Sequence, residues 1–169
     1  MTVAVNQQSE EIKRLAEQWE LLEALMAGTP AMRKGSTQYL PRMPAEESDS
    51  YAARLATATL FPAYRRTVGV MAGKPFAKEL TLSEDTPQSV KTWSEDIDLQ
   101  GVSLHNFAAE MFSETMAYGL AGVLVDYPRV GPSPLGVRTV AAVEASGARP
   151  YFVRVKHEQI LGWRAQIVG

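Results

Sequence analysis

The feature that most limits what this chain can fold into is residues 103–128, where an amphipathic helix runs almost directly into a compact β-branched segment. Leu104, Phe107, Ala108, Met111, Phe112 and Thr115 recur at helical spacing, Ser103 stands at the N-cap, and Gly119 closes the segment. AGVLVDYP follows, bounded by Gly122 and Pro128, and reads as a buried strand. A helix that leads so directly into a strand is expected to pack on it. The fold class predicted is α+β, with several amphipathic helices packed on a small β-sheet.

Upstream, Ile12, Leu15, Trp19, Leu22 and Met26 define a helix over residues 8–27, stopped by Gly28. Residues 29–49 contain Pro30, Gly35, Pro41 and Pro44, so an extended arm carrying Tyr39 and Leu40 is expected there. A second helix starts near Ser48 or Asp49, and Pro62 kinks it or splits it. Its second half sets Phe61, Tyr64, Val68 and Met71 on one face before Gly73 and Pro75 end it. FAKELTLS reads as a short extended segment, and Thr86 with Pro87 opens a short helix through Val90 and Trp93.

After strand AGVLVDYP, RVGPSPLG is a loop and VRTVAAVEASG a short helix ended by Gly147. YFVRV and GWRAQIV are two further strand candidates, separated by a turn of KHEQIL. The last strand either pairs with Tyr151–Val155 or stays unpaired at a sheet that stops short. The organisation expected is a helix and proline-rich arm over residues 1–47, then an α+β core over residues 48–169, truncated at its C-terminal end.

Composition narrows the functional classes. Hydrophobic residues make up 46% of the 169, enough for a real core. With 17 Lys and Arg against 19 Asp and Glu, a formal charge of -2 supplies no global attraction to phosphate or to an acidic membrane. The absence of cysteine excludes disulfides, thiolate metal sites and cysteine nucleophiles. No segment has the roughly 18 apolar residues of a membrane span, and residues 1–15 lack the pattern of an export signal.

Candidate chemistry is sparse. GVMAGKP at residues 69–75 has only three residues between its glycines and Pro75 where a phosphate loop needs Ser or Thr, so Gly73 reads as a helix end. His105 and His157 lack partners at ligand spacing and are assigned solvated or capping roles. Asp126, at a strand end before Tyr127 and Pro128, is read as bonding backbone amides rather than as a catalytic carboxylate. Glu95, Asp96 and Asp98 read as a solvated acidic turn, and the pairs Arg65 with Arg66 and Lys13 with Arg14 as water-facing helix charges. No catalytic residue, cofactor or metal ligand is assigned. Trp19, Tyr39 and Leu40 are the candidates for packing or interface contacts, on the chain's own body or on an adjacent subunit.

The blocks GTPAMRKGSTQYLPRMPAEESDSYAARL, VGVMAGKPF, DLQGVSLHNFA, YGLAGVLVDYP and RPYFVRVKHEQILGWR, in that order, resemble the amino-terminal region of tailed-bacteriophage portal proteins. The resemblance runs from about Gly28 to Arg164 and rests on block order and spacing. It implies a wing-like module of a structural ring, usually a dodecamer, at one capsid vertex, through which double-stranded DNA is packaged and ejected. It implies no enzymatic activity, and as partners further copies of the chain, the terminase, the capsid and head-to-tail adaptor proteins. Assembly would take place in the host cytoplasm and the product would sit in the virion. Family members are several hundred residues long, so no DNA-contacting or terminase-contacting residue carries over. Two readings from other classes compete: a small nucleotide-binding or hydrolase domain using Lys74 and Asp126, and an independent nucleic-acid-binding module.

Overall fold

The structure, a computed structural model, describes residues 6–128 and 146–163. The expected loop RVGPSPLG, most of the helix expected after it, and nearly all of the strand GWRAQIV lie outside the described residues.

Helix α1, Glu10–Ala27, begins where the Ser9 hydroxyl accepts the Ile12 N–H at 3.3 Å, with Glu10 and Glu11 placed against the positive helix end. Gly28 ends it at a φ of 78°, and α2, Thr29–Gly35, follows at once. The expected extended arm is therefore corrected over its first half, and Ser36–Gln38 continues as a 3-10 turn. Pro30 sits in the first turn, where its missing N–H has no helical partner to lose and its fixed φ suits the helix. A proline read as a breaker is here a helix starter.

Helices α3, Ser48–Thr57, and α4, Ala63–Gly73, are two separate elements, so Pro62 splits rather than kinks. The inward face of α4 carries Tyr64, Val68 and Ala72, with the Tyr64 hydroxyl donating to the Ala117 carbonyl. Phe61 and Met71, expected on that face, are exposed. Phe61 precedes the helix, and Met71 lies a residue off the i, i+4 row that runs through Val68 and Ala72. FAKELTLS pairs with no strand among the described residues, and the Leu80 N–H donates to His105 Nδ1 at 3.2 Å. Helix α5, Gln88–Trp93, begins behind Pro87 as expected. Helix α6, Leu104–Tyr118, is capped by the Ser103 hydroxyl and closed by Gly119 in the left-handed region.

Between α5 and α6 Glu95 is exposed as expected, whereas Asp96 and Asp98, half-buried, also hold the turn through hydrogen bonds. One Asp98 carboxylate oxygen accepts the N–H groups of Gln100 at 2.9 Å and Val102 at 3.1 Å. Burial works against its ionisation, and these amides outweigh it, holding the carboxyl below its usual value. Asp96 accepts the Gly101 N–H and pairs with Arg149. The buried Ile97 between them accepts the Phe152 N–H through its carbonyl, tying the turn to the sheet.

Strands β1, Gly122–Asp126, and β2, Tyr151–Val155, form an antiparallel pair with Val123 opposite Arg154, Leu124 opposite Val153 and Val125 opposite Phe152. The fold is thus α+β. Helix α4 packs along α6, α1 packs against α2, α4 and α6, and Ile12, Trp19, Val68, Ala72, Phe107 and Ala117 are buried among them. No described helix is long and apolar enough to cross a membrane.

The buried environment expected for β1 is corrected: Leu124 is 53% and Val125 60% exposed. Directly opposed residues share a face, so Val123, Val125, Phe152 and Arg154 lie on one side. There α6 meets the sheet through β2, with Phe107 5.8 Å from Phe152 and Glu110 paired to Arg154. Strand β1 stands beyond that contact.

Candidate interaction site

The most tightly built polar cluster surrounds His157, in the short 3-10 turn His157–Gln159 after β2. Only 4% of this residue is exposed, and its ring meets side-chain carboxylates rather than helix-end backbone, which corrects the expected solvated or capping role. Its ring stacks on Tyr118 with centroids 3.8 Å apart and planes 16° apart, and Trp19 meets it edge-on at 4.8 Å. Nδ1 lies 2.7 Å from Glu114 Oε1 and Nε2 lies 3.2 Å from Glu23 Oε1. Both contacts act as N–H donors only when both ring nitrogens carry protons. The Trp19 indole N–H donates to the Tyr118 carbonyl at 2.9 Å, and the Ser9 N–H to the Leu161 carbonyl at 2.7 Å.

These contacts join α1, the C-terminal end of α6 and the segment after β2, which are far apart in sequence. Burial and the carboxylates of Glu114 and Glu23 push the Tyr118 phenol upward, so it stays neutral. The two carboxylates meet opposite sides of the imidazole and cannot share one ion with it. Among the described residues no group of three His, Asp or Glu is placed to hold a metal. What this geometry does chemically is fasten three elements together.

The sequence-nominated contact residues fall in two places. Trp19 belongs to the interior cluster. Tyr39 and Leu40 fold back on their own chain: the Tyr39 ring lies against Gly35, where a Cβ would come within 2.3 Å of it. The Leu40 N–H donates to the Ser36 carbonyl, and its own carbonyl accepts the Tyr51 hydroxyl at 3.1 Å. A bidentate pair closes this corner, with Arg54 donating to both oxygens of Glu46 at 2.7 Å. Arg54 holds the Glu46 carboxyl down at about 2, helped by the Met43 N–H.

Lys74 lies at the C-cap of α4, and Asp126 accepts the Tyr127 N–H at 2.7 Å and the Tyr151 hydroxyl at 2.9 Å. The two sit on different elements, and among the described contacts none joins them.

The apolar surface is what sequence reasoning missed. Leu124 and Val153 stand as a cross-strand pair open on one face of the sheet, with Val123 and Val125 exposed on the other. Along the outside of α4, Ala63, Arg66, Thr67, Val70 and Met71 line a shallow groove of about 350 Å³ together with Phe61, itself 75% exposed. The signal for the first was the unbroken run Val123, Leu124, Val125, which lacks the alternation of a half-exposed strand. The signal for the second was that α4 carries apolar residues on two faces.

The chain matches no protein-family model and no curated protein.

Proposed function

We propose that this chain is a structural, non-catalytic part of a tailed-phage portal subunit, its wing-like region, working in a ring of copies at the capsid vertex. The observation that carries the reading is strand β1, whose apolar residues are exposed on both faces while β2 alone pairs with it among the described residues. A strand of this composition belongs inside a covered sheet, and large open apolar patches are a property of surfaces that protein partners cover. The ordered sequence blocks support the same reading, because the Asp98 turn, the Ser103 and Gly119 caps and His157 all fall within them. On this reading the partners are further copies, the terminase, the capsid, head-to-tail adaptors and the DNA that passes through. The virion is its destination after assembly in the host cytoplasm.

Electron microscopy and light scattering of the protein as its gene encodes it test the reading. Closed rings with a central channel are expected. Monomers at every concentration, or micromolar nucleotide binding abolished by Lys74→Ala in calorimetry, would overturn it.

A further inference from the structure

Charge on this chain is distributed unevenly between two helices that both present apolar residues outward. Residues 63–78 contain Arg65, Arg66, Lys74 and Lys78 and no acid, although the whole chain carries a formal charge of -2. None of these four side chains has an ion-pair partner among the described residues. The groove of α4 runs between Phe61 at one end and Val70 and Met71 at the other, with Arg66 between them. On α4 the stripe sets the apolar Ala63, Val70 and Met71 beside Arg66 and Thr67, and every residue of it is exposed.

Helix α1 has the opposite bias. It holds Glu10, Glu11, Glu17, Glu20 and Glu23 against Lys13 and Arg14, both bases lying in its first half and Lys13 paired to Glu10. Glu23 contacts His157 and Glu20 accepts from Gln38, whereas Glu17 has no partner among the described residues. Glu17, Gln18 and Leu21 share one outward stripe, and Leu21 is half exposed.

From this complementarity we infer that the α4 groove of one copy receives the outward stripe of α1 from a second copy, with Leu21 between Phe61 and Met71 and Glu17 against Arg66. The two patches differ, so the contact is head-to-tail, the kind that closes into a ring or continues as a chain. The inference deepens the ring reading by naming the surfaces through which copies meet. A phosphate polymer would use the same cations, but it leaves Phe61, Val70 and Met71 uncovered, so the apolar stripe favours a protein partner.

The cysteine-free sequence allows a clean test. Gln18→Cys and Thr67→Cys variants of the chain, mixed under mild oxidation, are expected to cross-link to each other in preference to themselves. Arg66→Glu in the Thr67→Cys chain is expected to lower the yield about fivefold, and Glu17→Arg in its partner to restore it. Cross-links chiefly between identical variants, or a charge swap without rescue, would overturn the contact. So would low-salt retention of the wild type on double-stranded DNA that Arg66→Glu abolishes, with no cross-link formed. Microscopy of the same variants in the complete gene product separates this from the ring reading. Rings unaffected by Arg66→Glu would overturn the contact and leave the ring, whereas a rescued cross-link without rings would support the contact and overturn the ring.

Discussion

Replacing His157 with alanine removes two carboxylate contacts and a ring stacked on Tyr118, and it leaves Glu114 facing a void. Loss of buried polar partners together with packing is expected to cost about 2–4 kcal/mol, measured by urea denaturation through Trp19 fluorescence. His157→Phe should recover part of this through packing alone. The sequence concealed the residue because His157 sits between two charged neighbours, Lys156 and Glu158, and its partners lie 43 and 134 positions away. Glu46 was equally hidden, since the bidentate contact with Arg54 depends on the corner at Pro41 and Pro44. Its carboxyl, depressed from 4.5 to about 2, stabilises the folded chain fully above the unfolded value. That contribution is lost as pH falls through about 2. A carboxyl titration followed by NMR should place the Glu46 midpoint near 2, and Arg54→Gln should return it towards the ordinary glutamate range.

At the scale of elements, the local chemistry of caps was readable and the environment of each element was not. Ser103, Gly119, Gly28 and Pro87 mark helix ends because capping depends on residues within one turn. Pro30 was misread because a proline at a first helical turn and a proline in a loop carry the same local signature. Strand β1 was recognised as a strand from its β-branched residues, while its burial depended on what stands opposite. If both faces are open in the isolated chain, Leu124→Lys should change stability by no more than about 0.5 kcal/mol and should reduce binding of a hydrophobic dye. A cost well above this in thermal unfolding would show that Leu124 is covered.

The described residues are organised around α1, α4 and α6, with the antiparallel strand pair fastened at two places. One fastening is the acidic turn, through Ile97 to Phe152 and Asp96 to Arg149; the other is His157 with Trp19, Tyr118 and the two glutamates. Helix α1 is thereby tied to the C-terminal part of the described chain, although the sequence places it beside the proline-rich stretch. Among the described residues eight hydrophobic side chains are buried, whereas eighteen large ones are substantially exposed. Seven of the eighteen, Val123, Leu124, Val125 and Val153 on the sheet and Phe61, Val70 and Met71 along α4, form the two patches where covering by other protein is expected under the ring reading.

The sequence by itself determined the α+β class, the extents of α1, α5 and α6, the strands Gly122–Asp126 and Tyr151–Val155 and the turn chemistry at Ser103 and Gly119. These follow from side-chain periodicity and from hydrogen bonds made within a few residues. Only the tertiary structure decided that His157 is interior, that Asp96 reaches Arg149, and that β1 is open while α4 is apolar on two sides. His157, the Asp96–Arg149 pair and the environments of β1 and α4 depend on contacts between residues distant along the chain, of which local periodicity carries no record, while the Asp98 turn closes on amides two and four residues away.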